Sequence, residues 1–112
     1  MKLSSLWIFA CLVHLACGAD FEWSGEISTT GTKPTARRLH SSVVYGNYMV
    51  VFGGYTSGNN GELHKLNLDT NAWSGVVTPT GTAPTARHGH TSIVYSNFMV
   101  VFGGYDGSNV ND

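Results

Sequence analysis

The sequence predicts an all-β fold in which one four-stranded antiparallel unit is repeated along the chain. Residues 23–55 and residues 73–105 share about 22 identities in 33 positions at a constant offset of 50 residues. Of the 112 residues, 14 are glycine, nearly twice the usual ~7%. Charged residues make up only 12% of the chain, against ~25% in average proteins. These observations favour buried strands joined by tight turns, in an array whose single unit cannot bury its apolar face alone.

Each repeat begins with a predicted β-hairpin. Residues 40–45 and 48–52 are runs of β-branched and aromatic residues, and they are separated by Gly46 and Asn47, which both tolerate the positive φ of a tight turn. Residues 63–68 predict a third strand, because leucines alternate there with polar residues. After a short turn at 69–71, residues 72–77 predict a fourth strand. Four antiparallel strands per repeat make one blade of a β-propeller.

The strand pattern divides the chain into four segments. Residues 1–19 precede the repeats, and residues 20–34 hold the last strand of a preceding blade, at Phe21–Ser28, followed by a linker. Residues 35–77 form one complete blade, and residues 78–112 a linker and the first half of a second. Because a propeller needs about 4–8 blades to close, we expect the chain to be a fragment or truncated version of a longer propeller. The alternatives are several chains sharing one ring, or a decayed product.

The first 19 residues have the pattern of a secretory signal peptide. A basic Met1-Lys2 start is followed by an apolar run over residues 3–17 and then by small residues up to Ala19. Cleavage is expected after Ala19, or alternatively after Gly18, and the apolar run is shorter than a membrane-spanning helix needs. The chain is therefore expected to be secreted or lumenal, with no membrane span after cleavage.

Charge and cysteine content exclude several function classes. The formal net charge is −1, which offers no field for binding nucleic acid. Both cysteines, Cys11 and Cys17, lie in the predicted signal peptide, so the mature chain would have no thiol catalysis, redox motif or cysteine-ligated zinc. The sequence also lacks nucleophile-elbow and metalloprotease motifs. No cofactor, metal or catalytic residue is predicted.

The order of the motifs resembles the kelch repeat. The apolar run and double glycine of residues 49–55 (MVVFGGY) are followed by Leu63 and then by a spaced Trp73. Residues 31–40, and their copy at 81–90, look like the G-x-x-P-x-x-R-x-x-H lead-in common in kelch blades. One departure is Leu63-His64, where an acidic residue or tyrosine is often found. The resemblance covers essentially all of the mature chain, and it implies a β-propeller whose usual role is protein–protein interaction, with a minority of enzymes.

Glycine and tryptophan residues are expected to have structural roles. A double glycine ends the second strand of each repeat, where the absence of Cβ permits a bend and close approach between neighbouring blades. The repeated tryptophans are expected as aromatic core residues between blades. The structural residues are therefore Trp23, Gly53, Gly54, Trp73, Gly103 and Gly104.

Binding is expected on the face that carries the longer, more divergent loops, residues 56–61 and 78–88 with their counterparts, because binding residues concentrate on loops over a rigid scaffold. The candidate contacts are Arg38, Asn59, Asn60, Arg87 and His88. An alternative interpretation gives the recurring pairs Arg37/Arg87 and His40/His90 a structural role, as residues that form hydrogen bonds within the blade. A metal site at His88-Gly89-His90 is disfavoured because the first copy has Arg38 in place of His88. The scattered carboxylates are interpreted as solvated surface charges.

The predicted function is a secreted or lumenal protein–protein interaction scaffold that binds a protein, or alternatively a glycan, and is not an enzyme. The alternative is a fragment of a secreted propeller enzyme similar to galactose oxidase or to a sugar isomerase, whose site would lie on other blades. Further blades or self-association would be needed to complete the propeller.

Overall fold

A computed structural model describes Trp23 and residues 25–112. The predicted signal peptide lies outside these described residues. Every regular element within them is a β-strand, which confirms the all-β prediction. The strands are β1 (Thr30–Thr32), β2 (Ser41–Tyr45), β3 (Tyr48–Phe52), β4 (Leu63–Asn67), β5 (Ala72–Val77), β6 (Thr91–Tyr95) and β7 (Phe98–Phe102).

The first repeat forms one four-stranded antiparallel blade. Strands β2 to β5 pair in sequence order, and the second repeat contributes a two-stranded sheet of β6 and β7. Gly46, with a φ of 58°, opens the β2–β3 turn, and Ser96, with a φ of 54°, takes its place in the second copy. The arrangement is consistent with a complete propeller blade followed by the first half of another.

One strand differs from the sequence-based expectation. In the predicted strand at Phe21–Ser28, the residues that the structure describes are not in a strand, whereas β1 lies further along, at Thr30–Thr32. Strand β1 pairs parallel with β5, with Gly31 opposite Trp73, and so joins the outer edge of its own blade. The expected strand needs a preceding blade to pair with, and no such blade lies among the described residues. The lead-in instead satisfies its backbone groups on the nearest free strand edge.

The core lies along β3 and between the two repeats. Strand β3 pairs on both sides, and its second half is buried as a continuous apolar run, as expected for a strand covered on both faces. The buried apolar residues are Val50, Val51, Phe52 and Leu66. The next repeat contributes to this core, since the ring of His90 meets the ring of Phe52 edge-on at a centroid distance of 5.3 Å.

Candidate functional site

The longer loops of both repeats gather at one end of the strands, here called the loop face. The lead-in of the first repeat bonds to the loop after β3, because the Arg38 amide donates to the Tyr55 carbonyl at 3.1 Å and the Tyr55 amide donates back at 2.8 Å. His88 and Tyr105 make the same pair of bonds in the second repeat, at 3.1 and 2.9 Å. The short turns lie at the opposite end, where the Asn47 amide group donates to Asp69 at 2.8 Å.

Arg37 is the centre of a polar cluster beneath the loop face. Its guanidinium donates to the Gly53 carbonyl at 3.1 Å, to the Asn60 side-chain oxygen at 3.1 Å and to the Glu62 carboxylate at 2.8 Å. The ring of buried His64 lies 3.2 Å from the same carboxylate. Hydrogen bonds from Arg37 and His64 lower the pKa of Glu62 from 4.5 to about 2. The cluster ties the lead-in, the end of β3 and the start of β4 together.

Arg87 occupies the same position in the second repeat. Its guanidinium donates to the Gly103 carbonyl at 3.1 Å, to Asp112 at 2.8 Å and to the Thr85 hydroxyl at 2.9 Å. Only 2% of Arg87 is exposed. Its donors are engaged inside the repeat, because a buried guanidinium must be paired. The prediction that Arg87 contacts a partner is therefore wrong, and its role is to hold the blade together.

Glu62 and Asp112 were missed as structural residues, since the sequence interpretation took them as solvated surface charges. Each accepts a hydrogen bond from the repeated arginine at 2.8 Å. The bond from Arg87 holds the pKa of Asp112 below its ordinary value. The signal was present in the sequence, because the two acidic residues and the two arginines are each separated by the repeat offset of 50 residues.

Asn60 belongs to the same polar cluster. Its side-chain oxygen accepts from the Glu62 amide at 2.7 Å as well as from Arg37, and its amide group donates to the Glu62 carboxylate at 3.2 Å. Both ends of the side chain are thus used internally. Its main role in the structure is to shape the loop, whereas the candidate Arg38 is exposed.

Four side chains form a line across the loop face, here called the aromatic row and defined as Arg38, Tyr55, His88 and Tyr105. The Arg38 guanidinium lies 5.0 Å from the centroid of the Tyr55 ring, a cation–π distance. The His88 ring lies between the two tyrosines, with centroid distances of 5.3 Å and 5.5 Å. Asn59 orients it, because His88 Nδ1 and Asn59 Oδ1 are hydrogen-bonded at 2.7 Å.

The aromatic row brings both repeats into one surface. Arg38 and Tyr105 are exposed, whereas Tyr55 and His88 are half-buried. The sequence pointed to Arg38, Asn59 and His88 and missed the two tyrosines, each of which directly follows a double glycine. Arginine and tyrosine are enriched where proteins contact one another.

A second polar contact joins the repeats below the loop face. His90 Nε2 and the Ser41 hydroxyl are hydrogen-bonded at 2.7 Å, and the Ser41 hydroxyl also meets that of Ser92. Burial lowers the pKa of His90. With His88 bonded to Asn59 and His90 bonded to Ser41, the two imidazoles of the His88-Gly89-His90 segment serve separate contacts. Within residues 25–112, no group of three potential metal ligands is found.

The predicted structural residues differ in their surroundings. Gly53 and Gly54 lie where the two repeats approach, and the Gly54 amide donates to the Arg87 carbonyl at 2.9 Å. Trp73 is half-buried on β5, opposite Leu66 of β4. Trp23 is exposed in the described part of the chain, where no preceding blade is present, so its place as a core aromatic between blades stays a prediction.

Comparisons with known proteins show which family this architecture belongs to. The family described as the KLHDC2/KLHL20/DRC7 Kelch-repeats domain matches residues 2–112. Kelch domain-containing protein 2 of Bos taurus is 44% identical over 59 residues, which are 52% of this chain and 14% of that protein. The chain thus matches a small part of its curated relative's length. No helix of the described residues is both long and apolar enough to cross a membrane.

Proposed function

Because this chain belongs to the kelch-repeat family, we propose that it acts as a protein–protein interaction scaffold whose partner binds the aromatic row. The observation that carries the proposal is the continuous line of Arg38, Tyr55, His88 and Tyr105 across two repeats. The Arg37 and Arg87 clusters hold the backbone beneath it. A rigid support of this kind reduces the ordering cost of binding.

The chemistry of the aromatic row favours a partner segment with a carboxylate beside an apolar side chain. The exposed Arg38 guanidinium presents planar donors that match a carboxylate. Tyrosine rings supply contact area at low conformational cost, with a hydroxyl for hydrogen bonding. A glycan partner stays a prediction from the sequence, and no specific observation among the described residues favours the enzyme alternative.

The test is a comparative affinity capture with the purified chain as bait, using secreted proteins from the native source. The Arg38→Ala and Tyr105→Ala variants are compared with wild type, and Thr70→Ala is the matched control because Thr70 is exposed at the opposite end of the strands. We expect one set of proteins to be retained by wild type and control and lost by both variants. Equal capture by all four would show that the partner does not use the aromatic row.

We further propose that the chain enters the secretory pathway and is cleaved after Ala19. The support is the sequence pattern of residues 1–19, with its basic start, apolar run and small residues. N-terminal sequencing of the native protein should give Asp20 as the first residue. Retention of Met1 in the native protein would refute this proposal without affecting the interaction surface.

The blades beyond those described come either from a longer chain or from other chains. A propeller requires about 4–8 blades, and the sequence pattern favours a longer secreted protein. The intact mass of the native protein separates these possibilities. A mass far above 12.0 kDa under denaturing conditions would show a longer chain.

A further inference from the structure

The loop between β3 and β4 contains the one asparagine of the sequence that is followed directly by glycine, Asn60-Gly61. An asparagine loses its side-chain amide when the backbone nitrogen of the next residue attacks the side-chain carbonyl carbon. Glycine obstructs that attack least, because it has no Cβ. The loop joins two strands of the complete blade and lies against residues 86 and 87 of the second repeat, so both repeats shape its surroundings.

The attacking group, the Gly61 amide nitrogen, is free to react. Gly61 is exposed, and within residues 25–112 its amide has no hydrogen-bond partner. The amides on either side are both bonded, since Asn60 donates to the Gly54 carbonyl at 2.9 Å and Glu62 donates to the Asn60 side-chain oxygen at 2.7 Å. Reaction at the Gly61 nitrogen therefore breaks no hydrogen bond of that amide.

The bond from the Glu62 amide also holds the carboxamide group of Asn60 in place. An asparagine oxygen that accepts from the amide two residues later closes an Asx turn. The closed ring of this turn contains both the side-chain carbonyl carbon of Asn60 and the amide nitrogen of Gly61. Because the two groups that must react are held together in one small ring, less of the barrier is spent on bringing them together.

Two donors are placed on the oxygen where negative charge develops during the attack. The Arg37 guanidinium donates to Asn60 Oδ1 at 3.1 Å, beside the Glu62 amide at 2.7 Å. Attack on the carbonyl carbon moves an electron pair onto this oxygen, and preorganised donors stabilise that charge as an oxyanion hole does. On the leaving side, the Asn60 amide nitrogen donates to the Glu62 carboxylate at 3.2 Å. This carboxylate favours the positive charge that the nitrogen gains on protonation.

We propose that Asn60-Gly61 is a self-modification site, at which the folded chain converts Asn60 through a cyclic imide with water as the only co-reactant. The Gly61 nitrogen forms a bond to the Asn60 side-chain carbon and loses its proton to solvent. The side-chain nitrogen takes up a proton from solvent and leaves as ammonia. One water molecule then opens the ring at either carbonyl, which gives aspartate or isoaspartate at position 60. In sum, one amide nitrogen is exchanged for one oxygen of water.

The conversion alters the contact between the two repeats. Isoaspartate runs the main chain through the former side chain, which adds one carbon to the backbone before Gly61. The Asn60 carbonyl that accepts from the Arg87 amide at 3.1 Å is then replaced by a free carboxylate outside the main chain. Aspartate keeps that carbonyl but places a carboxylate oxygen against Glu62, where the amide group now donates. We therefore expect the Arg87 amide to exchange its hydrogen faster in the isoaspartate form.

The test is peptide mapping by mass spectrometry after the purified 112-residue chain has been incubated at neutral pH in water enriched in heavy oxygen. Position 60 should gain one solvent oxygen, with isoaspartate among the products, whereas Asn59 and its copy Asn109 should stay unchanged. Conversion should be about tenfold faster than in a synthetic peptide of residues 56–66, since one charge-assisted hydrogen bond strengthened in the transition state is worth about that factor.

Three variants separate the contribution of the fold from that of the sequence. Arg37→Met should slow conversion about tenfold, and Arg87→Met is the matched control, because it removes the equivalent arginine of the second repeat without taking a donor from Asn60. Both are compared under conditions in which circular dichroism shows them folded. Gly61→Ala should nearly stop conversion, because its Cβ hinders the attack, and the fold should be kept, since this Cβ meets only Ala86, at 3.2 Å.

The proposal has clear contrary outcomes. Wild-type conversion no faster than that of the peptide would overturn it, as would equal rates in the two arginine variants. Conversion of Gly61→Ala at the wild-type rate would also overturn it, because the route would then not pass through the cyclic imide. Unchanged exchange at the Arg87 amide in the isoaspartate form would refute the effect on the contact between repeats. Each measurement is independent of the proposed partner and of secretion, since only the purified chain is used.

Discussion

The close approach of the two repeats at Gly53 can be tested with a substitution that has its own control in the chain. Gly53 and Gly103 occupy the same repeat position and have similar φ values of 66° and 74°. Alanine at either position pays the left-handed backbone strain of roughly 1–2 kcal/mol. At Gly53 alone, the new Cβ would also overlap the Arg87 carbonyl oxygen and the His90 ring.

The structure predicts different losses for the two substitutions. Relieving the overlap at Gly53 should cost a further ~1–3 kcal/mol, as for other overpacked sites. We therefore expect Gly53→Ala to lower the free energy of unfolding by about 2–5 kcal/mol, and Gly103→Ala by about 1–2 kcal/mol. The contact between repeats is the physical reason for the difference.

The assay is equilibrium urea unfolding at low protein concentration, followed by circular dichroism and by tryptophan fluorescence, whose coincidence checks two-state behaviour. Hydrogen exchange adds a local measurement, because the Gly54 and Gly89 amides both donate across the interface. Gly53→Ala should speed exchange at both amides, and Gly103→Ala should leave both unchanged. Equal losses of stability, with unchanged exchange in both variants, would refute the inferred contact.

Three further predictions concern the polar groups. The lowered pKa of Glu62 means that its ionised carboxylate stabilises the fold above about pH 4.5, and this contribution is lost as the pH falls towards 2. Because this carboxylate is partly exposed, we expect the contribution to the free energy of unfolding to be only about 1 kcal/mol. Glu62→Gln should remove it from the pH dependence of urea unfolding. Burial favours neutral His90, so the stability of the fold should decrease as the pH drops below the ordinary histidine pKa of 6.5. In thermal melts, this pH-dependent loss of stability should be absent from His90→Gln and present in His40→Gln. Arg87→Met should cost ~2–4 kcal/mol by leaving buried acceptors unpaired, whereas Arg38→Met, at an exposed position, should cost less than ~0.5 kcal/mol; a larger loss at Arg38 would contradict the assignment of roles.

Sequence patterns predicted the strands because the relevant interactions are local or repeated. The alternation of residues 63–68, the turn at Gly46 and the run of residues 72–77 each indicate one element, and the structure has β4, the β2–β3 turn and β5 there. The first strand was the exception. Its position depends on which strand edge is available, and that is a property of the assembled sheet.

The candidate site was predicted in part. Binding was predicted on the longer, more divergent loops, so the sequence selected Arg38, Asn59 and His88, which do lie together on the loop face. The sequence could not tell which arginine of the adjacent pair is buried or which tyrosine lies beside a histidine 33 residues later. The burial of Arg37 and Arg87 and the neighbours of each tyrosine depend on contacts between loops, and these loops come together only after the strands have paired.

By itself, the sequence determined the all-β class, the repeat, the hairpins and the resemblance to kelch blades, because strand periodicity and turn chemistry act over a few residues and the repeat doubles each signal. Tertiary structure decided the environment of each copy. Phe52 and Phe102 are the same residue at the same repeat position, yet one is buried and the other is open. The physical reason is that burial depends on the neighbouring blade, which covers the first copy and is absent beside the second within the described residues.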